Sequence, residues 1–576
     1  MKTGALLTVL SLLVAAPAMA HGGHHKPPPK PKHVVIIMLD QARTDTIDRY
    51  DMKNVQRLQR KGKNFPNGLV GHMAAETVIS HNVVTSGLFP KHMGWSNEVY
   101  RDVNGVLGTP GAYHVTSSMG CAQYRLLIDA GGYPKLQDYL DDKFGESSSF
   151  ASISQKRSSA CTAGHTSSGA DDGTATDPED IIFQIRGSSA PVSCDGRSGW
   201  RQPETGNGPL PAYFAAGATD CTNRWWTWQQ AGAYGTGTTL PAKIYPLDGN
   251  RFVPGFDPAH LGGDTWSADA AIRVIQNDPN WHGMMVSLGA IDKMGHMWGP
   301  EDNVTGPPGS DQQVSHLPFA AQNADEQVGR IVDALKARGL LDDTLIVISA
   351  DHAAMTGRPF LGRFDGFPPP DGNGCDPATT SNGIRSDCNW YYGADADERY
   401  LDPSPAVAAL RDRLAGNLAF SYQDGHIAAW LTDNSTAKKN VAADAVLDMP
   451  GVIAAYRKNT AQNHYVRVGT NPMSFRERVW FREHADELVD TMAEPTGPDV
   501  VGLLKTDVTY GVMGDHGGHN RLVQNIPMVF YGPGVSSRDS RRELRLVDVV
   551  PTVLKAMGIR YHPHDFDGRA VSLSGR

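Results

Sequence analysis

After His33 the run to Leu39 (HVVIIML) is unbroken in apolar side chains, and it stops on Asp40. A run without polar alternation is the pattern of a strand covered on both faces, as in a parallel sheet. The same pattern recurs from Gly283 to Gly289 (GMMVSLG), shortly before Asp292, and from Thr344 to Ala350 (TLIVISA), directly before Asp351 and His352. A fourth run, Pro527 to Tyr531 (PMVFY), ends at Gly532. Between the second and third runs, Phe319 to Arg338 spaces Ala320, Val328, Ile331, Val332 and Leu335 along one face, and Gly339 follows as a stop. That spacing predicts an amphipathic helix. Strand, helix and strand in succession predict an α/β fold with a mostly parallel central sheet flanked by helices, whose ligands bind beyond the carboxyl ends of the strands.

A different pattern marks Glu76 to Pro90. Val78, Val83 and Val84 fit a short helix, Gly87 offers its end, and Pro90 forbids continuation. Thr77 stands at the expected N-cap, where free backbone N–H groups and the positive end of the helix dipole favour an oxyanion. A lone threonine there is ordinarily a cap; its neighbours in the fold decide whether it is more.

The remaining chain divides by composition. Residues 33–355 are expected to hold the catalytic α/β core, with a loop-rich, Gly/Ser/Asp-rich insertion at about 104–260 that carries four of the cysteines. Residues 356–510 begin with a Pro/Gly/Asp-rich loop and then mix helical and strand-like stretches, which predicts an inserted cap subdomain. Residues 511–576 return to the core and include an apolar-periodic helix from Leu546 to Met557.

Charge and cysteine content narrow the function classes. A formal net charge of −9 over 576 residues argues against general affinity for nucleic-acid polymers or anionic membranes, so an anionic substrate needs local positive charge. Residues 1–20 combine Lys2, an apolar stretch from Ala5 to Ala16 and the small-residue pattern Ala18-Met19-Ala20, which reads as a secretory signal peptide; no transmembrane segment is expected. A His/Pro/Lys-rich leader follows at 21–32. Export to a periplasmic or extracellular space agrees with six cysteines, none in a CxxC pair. Cys194 with Cys221 and Cys375 with Cys388 are plausible local disulfides, while the connectivity stays open. Asn303 and Asn434 lie in N-x-T sequences, which are glycosylated only on a eukaryotic secretory route.

The metal-capable residues at strand ends and glycine turns are Asp40, Thr77, Asp292, His296, Asp351, His352 and His516. Asp292 and His296 are four apart and share one side of a helical turn, whereas Asp351 and His352 can meet one ion only at an irregular strand end. Mixed carboxylate and imidazole sets suit zinc, and these residues could fill two sites.

In their order these motifs resemble the alkaline phosphatase superfamily, in particular its nucleotide pyrophosphatase/phosphodiesterase branch. The resemblance rests on IIMLD ending at Asp40, on Thr77, His81, Gly87 and Pro90 at the spacing of the nucleophile motif, and on Asp292, His296, Gly299 and Pro300 as a D-x-x-x-H-x-x-G-P block. It is completed by the pair Asp351-His352 and by Gly514, His516 and Gly517 as a G-x-H-G block. It implies two zinc ions, one held by Asp292, His296 and His516, the other by Asp40, Asp351, His352 and the Thr77 hydroxyl. It further implies hydrolysis of a small phosphate ester or nucleotide through a phosphothreonine intermediate at Thr77.

Two departures bear on the substrate. The diesterases place an Asn after the nucleophile helix for a phosphate oxygen, and Asn97 stands one residue early. Related monoesterases use a Lys-x-Arg pair, whereas Lys156 and Arg157 are adjacent here, and a realignment would set Gln155 in place of the Lys. His519 stands where the branch often has Asp. A sulfatase C/S-x-P-x-R motif, a G-x-S-x-G elbow and a P-loop are absent. The leading expectation is a secreted two-zinc phosphodiesterase or nucleotide pyrophosphatase. Its rivals are a broad alkaline phosphomonoesterase, a phosphonate hydrolase on the same site and, from another class, a catalytically inactive binding ectodomain.

Overall fold

The computed structural model describes residues 30–164, 257–298, 316–355, 403–510 and 514–574, together with short segments between 181 and 246. The signal peptide and leader up to residue 29, Asn303, and the cysteines at 221, 375 and 388 lie outside the described residues.

Among the described residues the central sheet has eight strands, ordered Glu204–Thr205, Ile181–Gln184, Ser149–Ser154, Trp281–Leu288, His33–Leu39, Thr344–Ser349, Met528–Tyr531 and Lys63–Asn64. The strands from Ile181–Gln184 to Thr344–Ser349 run parallel, and Met528–Tyr531 pairs antiparallel with Thr344–Ser349. His33–Leu39 lies in the middle, with Val35 opposite Met284 on one side and Ile346 on the other. Val34 to Leu39 are all fully buried because helices cover both faces of the sheet, which is why this strand has no polar alternation.

All four expected strands thus fall within a residue or two of the sequence reading, and the helix His316–Ala337 follows its predicted course. The stretch 104–260 differs. Helices Cys121–Gly131, Leu136–Phe144 and Arg157–Ala163 occupy its first part, and Ser149–Ser154 is an interior strand of the central sheet. The strand (SFASIS) is half serine, so its hydrophobic signal is weak. Small side chains nevertheless suit a crowded interior, and Ser152 Oγ donates to the carbonyl of Ala160 at 2.7 Å. Cys121 at the start of one helix forms a disulfide with Cys161 in another, a pairing the sequence left open.

A second sheet is antiparallel, in the order Leu418–Gln423, His426–Leu431, Val500–Leu504, Val452–Asn459 and His464–Thr470. Its side chains alternate between faces. Ile427, Ala429, Leu431, Val500 and Leu504 share a core with the helices Pro403–Leu414 and Thr436–Leu447. Val501 and Leu503 point the other way, toward the helix Phe475–Asp490 and Met73 of the main body. Ser474 caps that helix by accepting the Glu477 N–H at 3.3 Å.

Candidate metal centre

The parallel topology brings one reactive segment to the carboxyl end of each of four neighbouring strands. Asp40 follows His33–Leu39, Asp351 and His352 follow Thr344–Ser349, and Lys156 follows Ser149–Ser154. Asp292 and His296 stand on the helix Ala290–Trp298 that leaves Trp281–Leu288. His516 arrives on the segment before Met528–Tyr531, and Thr77 on the helix Thr77–Ser86. Thr77 is the first residue of its helix, and Glu76 is the N-cap, without a side-chain cap bond. The threonine is therefore not the cap expected of it, which leaves its hydroxyl uncommitted to its own helix. Gly87 ends the helix at φ 72°, the left-handed geometry that glycine tolerates.

These side chains converge. Lys156 Nζ lies 2.7 Å from Asp40 Oδ2 and 2.6 Å from Asp292 Oδ2. Thr77 Oγ1 is 3.5 Å from the same ammonium and 3.2 Å from His352 Nε2. His352 Nε2 is also 3.8 Å from Asp40 Oδ1 and 3.5 Å from Asp351 Oδ2. His296 Nε2 stands 3.1 Å from Asp292 Oδ1, and the His516 ring stacks on His352 with centroids 3.7 Å apart. All of these residues are buried except Lys156, whose side chain is 14% exposed.

The donor set offers two groups of metal-capable atoms that share His352. Asp40, Asp351 and His352 place one ligand atom each within 4.8 Å of one another, and so do Asp292, His352 and His516. Buried carboxylates strongly prefer a compensating charge. Asp40 is held well above the usual carboxylate range by burial and by the neighbouring charge of Asp351, although Lys156 opposes this. Burial also acts to raise Asp351, but His352, His81 and Lys156 outweigh it and hold that carboxyl low. Asp40 Oδ1 and Asp351 Oδ2 are buried and accept no hydrogen bond. His352 donates its Nδ1–H to the carbonyl of Ala353 at 3.1 Å, which leaves the Nε2 lone pair facing the cluster. Burial lowers the His352 pKa, so the ring stays neutral, the form that ligates metal.

Residues 221–364 match the family model of type I phosphodiesterase / nucleotide pyrophosphatase. An alkaline phosphatase PhoD from Zymomonas mobilis subsp. mobilis is 21% identical over 332 residues, 54% of this chain and 49% of that protein. The chain thus spans about half the length of that curated relative. Among solved structures, wild-type alkaline phosphatase PafA superposes with a TM-score of 0.61 at 16% identity, covering 95% of this chain and 100% of the other. Murine ectonucleotide pyrophosphatase / phosphodiesterase 5 gives a TM-score of 0.51 at 10% identity, covering 93% and 97%. This chain shares the fold of these two structures.

Within this fold the two basic candidates separate. Lys156 reaches the cluster, whereas Arg157, the first residue of the next helix, turns its guanidinium to the Ser118 carbonyl at 3.4 Å. The realignment is likewise disfavoured by geometry: Gln155 is buried and bonds Asp264 at 2.7 Å and Lys293 at 2.6 Å. Asn97 is fully buried and bonds His426 Nε2 at 3.0 Å, with no bond to Thr77.

Two further residues support the site. Gln41, at φ 67°, donates its backbone N–H to Asp351 at 3.1 Å and its side-chain amide to Asp292 at 3.2 Å and to the Gly514 carbonyl at 2.8 Å. His81 donates to the Thr77 carbonyl at 2.8 Å and lies 3.5 Å from Asp351, with burial lowering its pKa to about 4. His81 was visible as part of the nucleophile motif. Gln41 follows Asp40 in sequence, but nothing in its residue type announces a role.

Proposed function

We propose that this chain is an exported phosphoric ester hydrolase that uses two zinc ions and Thr77 as nucleophile on a phosphodiester or nucleotide pyrophosphate. The observation that carries this reading is the position of Thr77 Oγ1 at a helix N-terminus, 3.2 Å from His352 Nε2 and beside two sets of buried metal-capable groups. One ion would be held by Asp40, Asp351, His352 and the Thr77 oxygen. The other would be held by Asp292, His296 and His516. Bound zinc would lower the pKa of a ligating hydroxyl or water and neutralise charge that develops on phosphoryl oxygens.

Thr77 Oγ1 would bond to phosphorus as the bond from phosphorus to the leaving oxygen breaks, and the threonine proton ends on the departing alcohol or nucleotide. Water then attacks the phosphothreonine, the bond from Oγ1 to phosphorus breaks, and Thr77 regains its proton. Free N–H groups at the helix start would favour the anionic phosphoryl group. His81 holds the Thr77 carbonyl and so fixes the first turn of the helix.

A phosphomonoesterase on the same site is favoured by one observation: Lys156 is in the cluster, where an extra phosphate charge could be met. Arg157, turned away, would add nothing to it. Export is supported by the disulfide between Cys121 and Cys161, and among the described residues no helix is long and apolar enough to cross a membrane.

The test combines metal content with Thr77→Ala. About two zinc ions per chain and a loss of roughly 10³-fold or more in kcat/KM, at unchanged melting temperature, are expected. Metal-free protein with Thr77→Ala indistinguishable from the parent would leave the inactive ectodomain. Rates on a diester and a monoester chromogenic substrate then separate the two enzymatic readings.

A further inference from the structure

Among the described residues the second sheet ends on the strand His464–Thr470, which pairs only with Val452–Asn459. The Tyr465 N–H turns away from that partner and donates to the Asp490 carboxylate at 3.0 Å. Backbone groups of an antiparallel strand alternate in direction, and Tyr465, Val466 and Arg467 keep register with Lys458, Arg457 and Tyr456. Arg467 therefore presents its N–H and C=O to the open edge, as Tyr465 does.

Beside this edge the helix Phe475–Asp490 runs in the opposite direction. Its start lies by Met473, whose carbonyl accepts the Arg478 guanidinium at 3.0 Å, and its end lies by Tyr465. A cavity of about 640 Å³ opens between strand and helix, lined by Arg467, Arg478, Arg482, Met473 and Phe481 among others. The Arg467 guanidinium lies over the Phe481 ring, 5.2 Å from its centroid, and reaches Asp486 at 3.6 Å with both side chains exposed. Arg478 and Arg482 are exposed and make no ion pair among the described residues. On the outer side of these two arginines Phe475 is 80% exposed and Val479 is 41% exposed. A single arginine on an edge strand serves to discourage pairing. Three arginines around a cavity, with two apolar side chains at its rim and in a chain of net charge −9, mark a surface with a partner.

We propose that this groove docks an extended acidic segment of a partner protein, which adds a strand beside His464–Thr470 and sets two carboxylates on Arg478 and Arg482. The spacings agree. Arg478 and Arg482 stand four residues apart, about 6 Å along the helix, and alternate residues of an added strand share a face at about 6.7 Å. Arg467 offers the segment backbone pairing, the two guanidiniums take its alternate carboxylates, and Phe475 and Val479 receive an apolar side chain at its end. A second copy of this chain fits worse, because pairing two such edges would bring arginine against arginine. The inference stands on the second sheet and its helix and is independent of the reaction at Thr77.

Fluorescence anisotropy of the full chain with a labelled peptide in which Glu alternates with Thr tests it. Micromolar binding is expected at low salt, weakened about tenfold by Arg478→Ala or Arg482→Ala at parental melting temperature and turnover. A peptide of the same composition with its glutamates in one block is expected to bind about tenfold less tightly. Hydrogen exchange at the Arg467 amide is expected to slow when the alternating peptide is bound. Equal binding of the two peptides, or an Arg467 amide that exchanges as fast with peptide as without, overturns the proposal. Absence of peptide binding overturns it as well, and a dimer in sedimentation that Arg467→Pro dissolves would assign the edge to a second copy instead.

Discussion

The two sheets bury charge in opposite ways. In the second sheet Lys439 and Lys458 are buried around Asp499, and each has its partners. Lys458 Nζ donates to the carbonyls of Glu494 at 3.1 Å and Gly497 at 2.6 Å, and Lys439 Nζ donates to Thr460 at 2.7 Å and approaches Asp499 to 3.8 Å. Asp499 in turn accepts the Leu431 N–H at 2.9 Å. At the carboxyl end of the parallel sheet, Asp40, Asp292 and Asp351 surround a single lysine, and oxygens of Asp40 and Asp351 accept no hydrogen bond. In the first arrangement two lysines face one carboxylate, whose Oδ1 meets Lys439 at 3.8 Å and accepts no hydrogen bond; in the second one lysine faces three carboxylates, and balance needs added positive charge. A surplus of buried carboxylate over cation is the physical difference between a framework and a site that binds metal.

Removing one member of each set should break or sharpen this contrast. Lys458→Met leaves the carbonyls of Glu494, Pro495 and Gly497 short of a donor and removes a positive charge from the neighbourhood of Asp499, and is expected to cost about 3–5 kcal/mol in denaturant unfolding, with kcat of the folded fraction retained. Loss of turnover without loss of stability would contradict the framework role. Asp40→Asn should act in the opposite sense. It removes a charge that burial and Asp351 disfavour, so chelator-treated protein is expected to be at least as stable as the parent, while bound zinc and turnover fall. A destabilised Asp40→Asn in the metal-free state would mean that the carboxylate surplus is already balanced. Gln41→Ala leaves every ligand and the backbone N–H to Asp351 in place but frees Asp292 and the Gly514 carbonyl from the side-chain amide, and a roughly 10–100-fold drop in zinc affinity or activity is expected. Unchanged zinc affinity, by titration with a competing chelator, would reduce Gln41 to packing.

The parallel strands and their reactive ends were legible because the signal is local. Each is an unbroken apolar run that stops on or near the residue that matters, as Leu39 stops before Asp40 and Ala350 before Asp351. Ser149–Ser154 was missed because serine hides a buried strand from any hydrophobic count, and with it the origin of Lys156 at a strand end. Whether Lys156 or Arg157 faces the site could not be read from two adjacent basic residues. It depends on Lys156 being the extended N-cap and Arg157 the first helical residue. Gln41 carries no motif at all. Its role exists only after distant segments meet, where it lies so close to Gly295 that any β-carbon there would collide with its Oε1.

Asp264 tests whether the surplus of carboxylate extends behind the site. It is buried on the helix Asp257–Asn277, accepts Gln155 Nε2 at 2.7 Å and the Ala290 N–H at 3.1 Å, and so braces both the segment that holds Lys156 and the start of the helix that holds Asp292. Burial raises its pKa to about 7, and Lys293 opposes but does not cancel this. In the unfolded chain an aspartate titrates near its ordinary value, about 3.9. Between about pH 4 and 7 the folded state therefore holds a proton that the unfolded state has released. The stability this group contributes is full below pH 4 and is lost as pH rises toward 7, at a slope of up to roughly 1.4 kcal/mol per pH unit. Asp264→Asn has no such proton, so the stability difference between parent and variant should shift in favour of the variant from pH 4.5 to 7 and then level off. Urea unfolding of both proteins across that range measures it. A difference independent of pH would show Asp264 ionised throughout, paired with Lys293, and would place this carboxylate with the balanced charges of the second sheet rather than with the site.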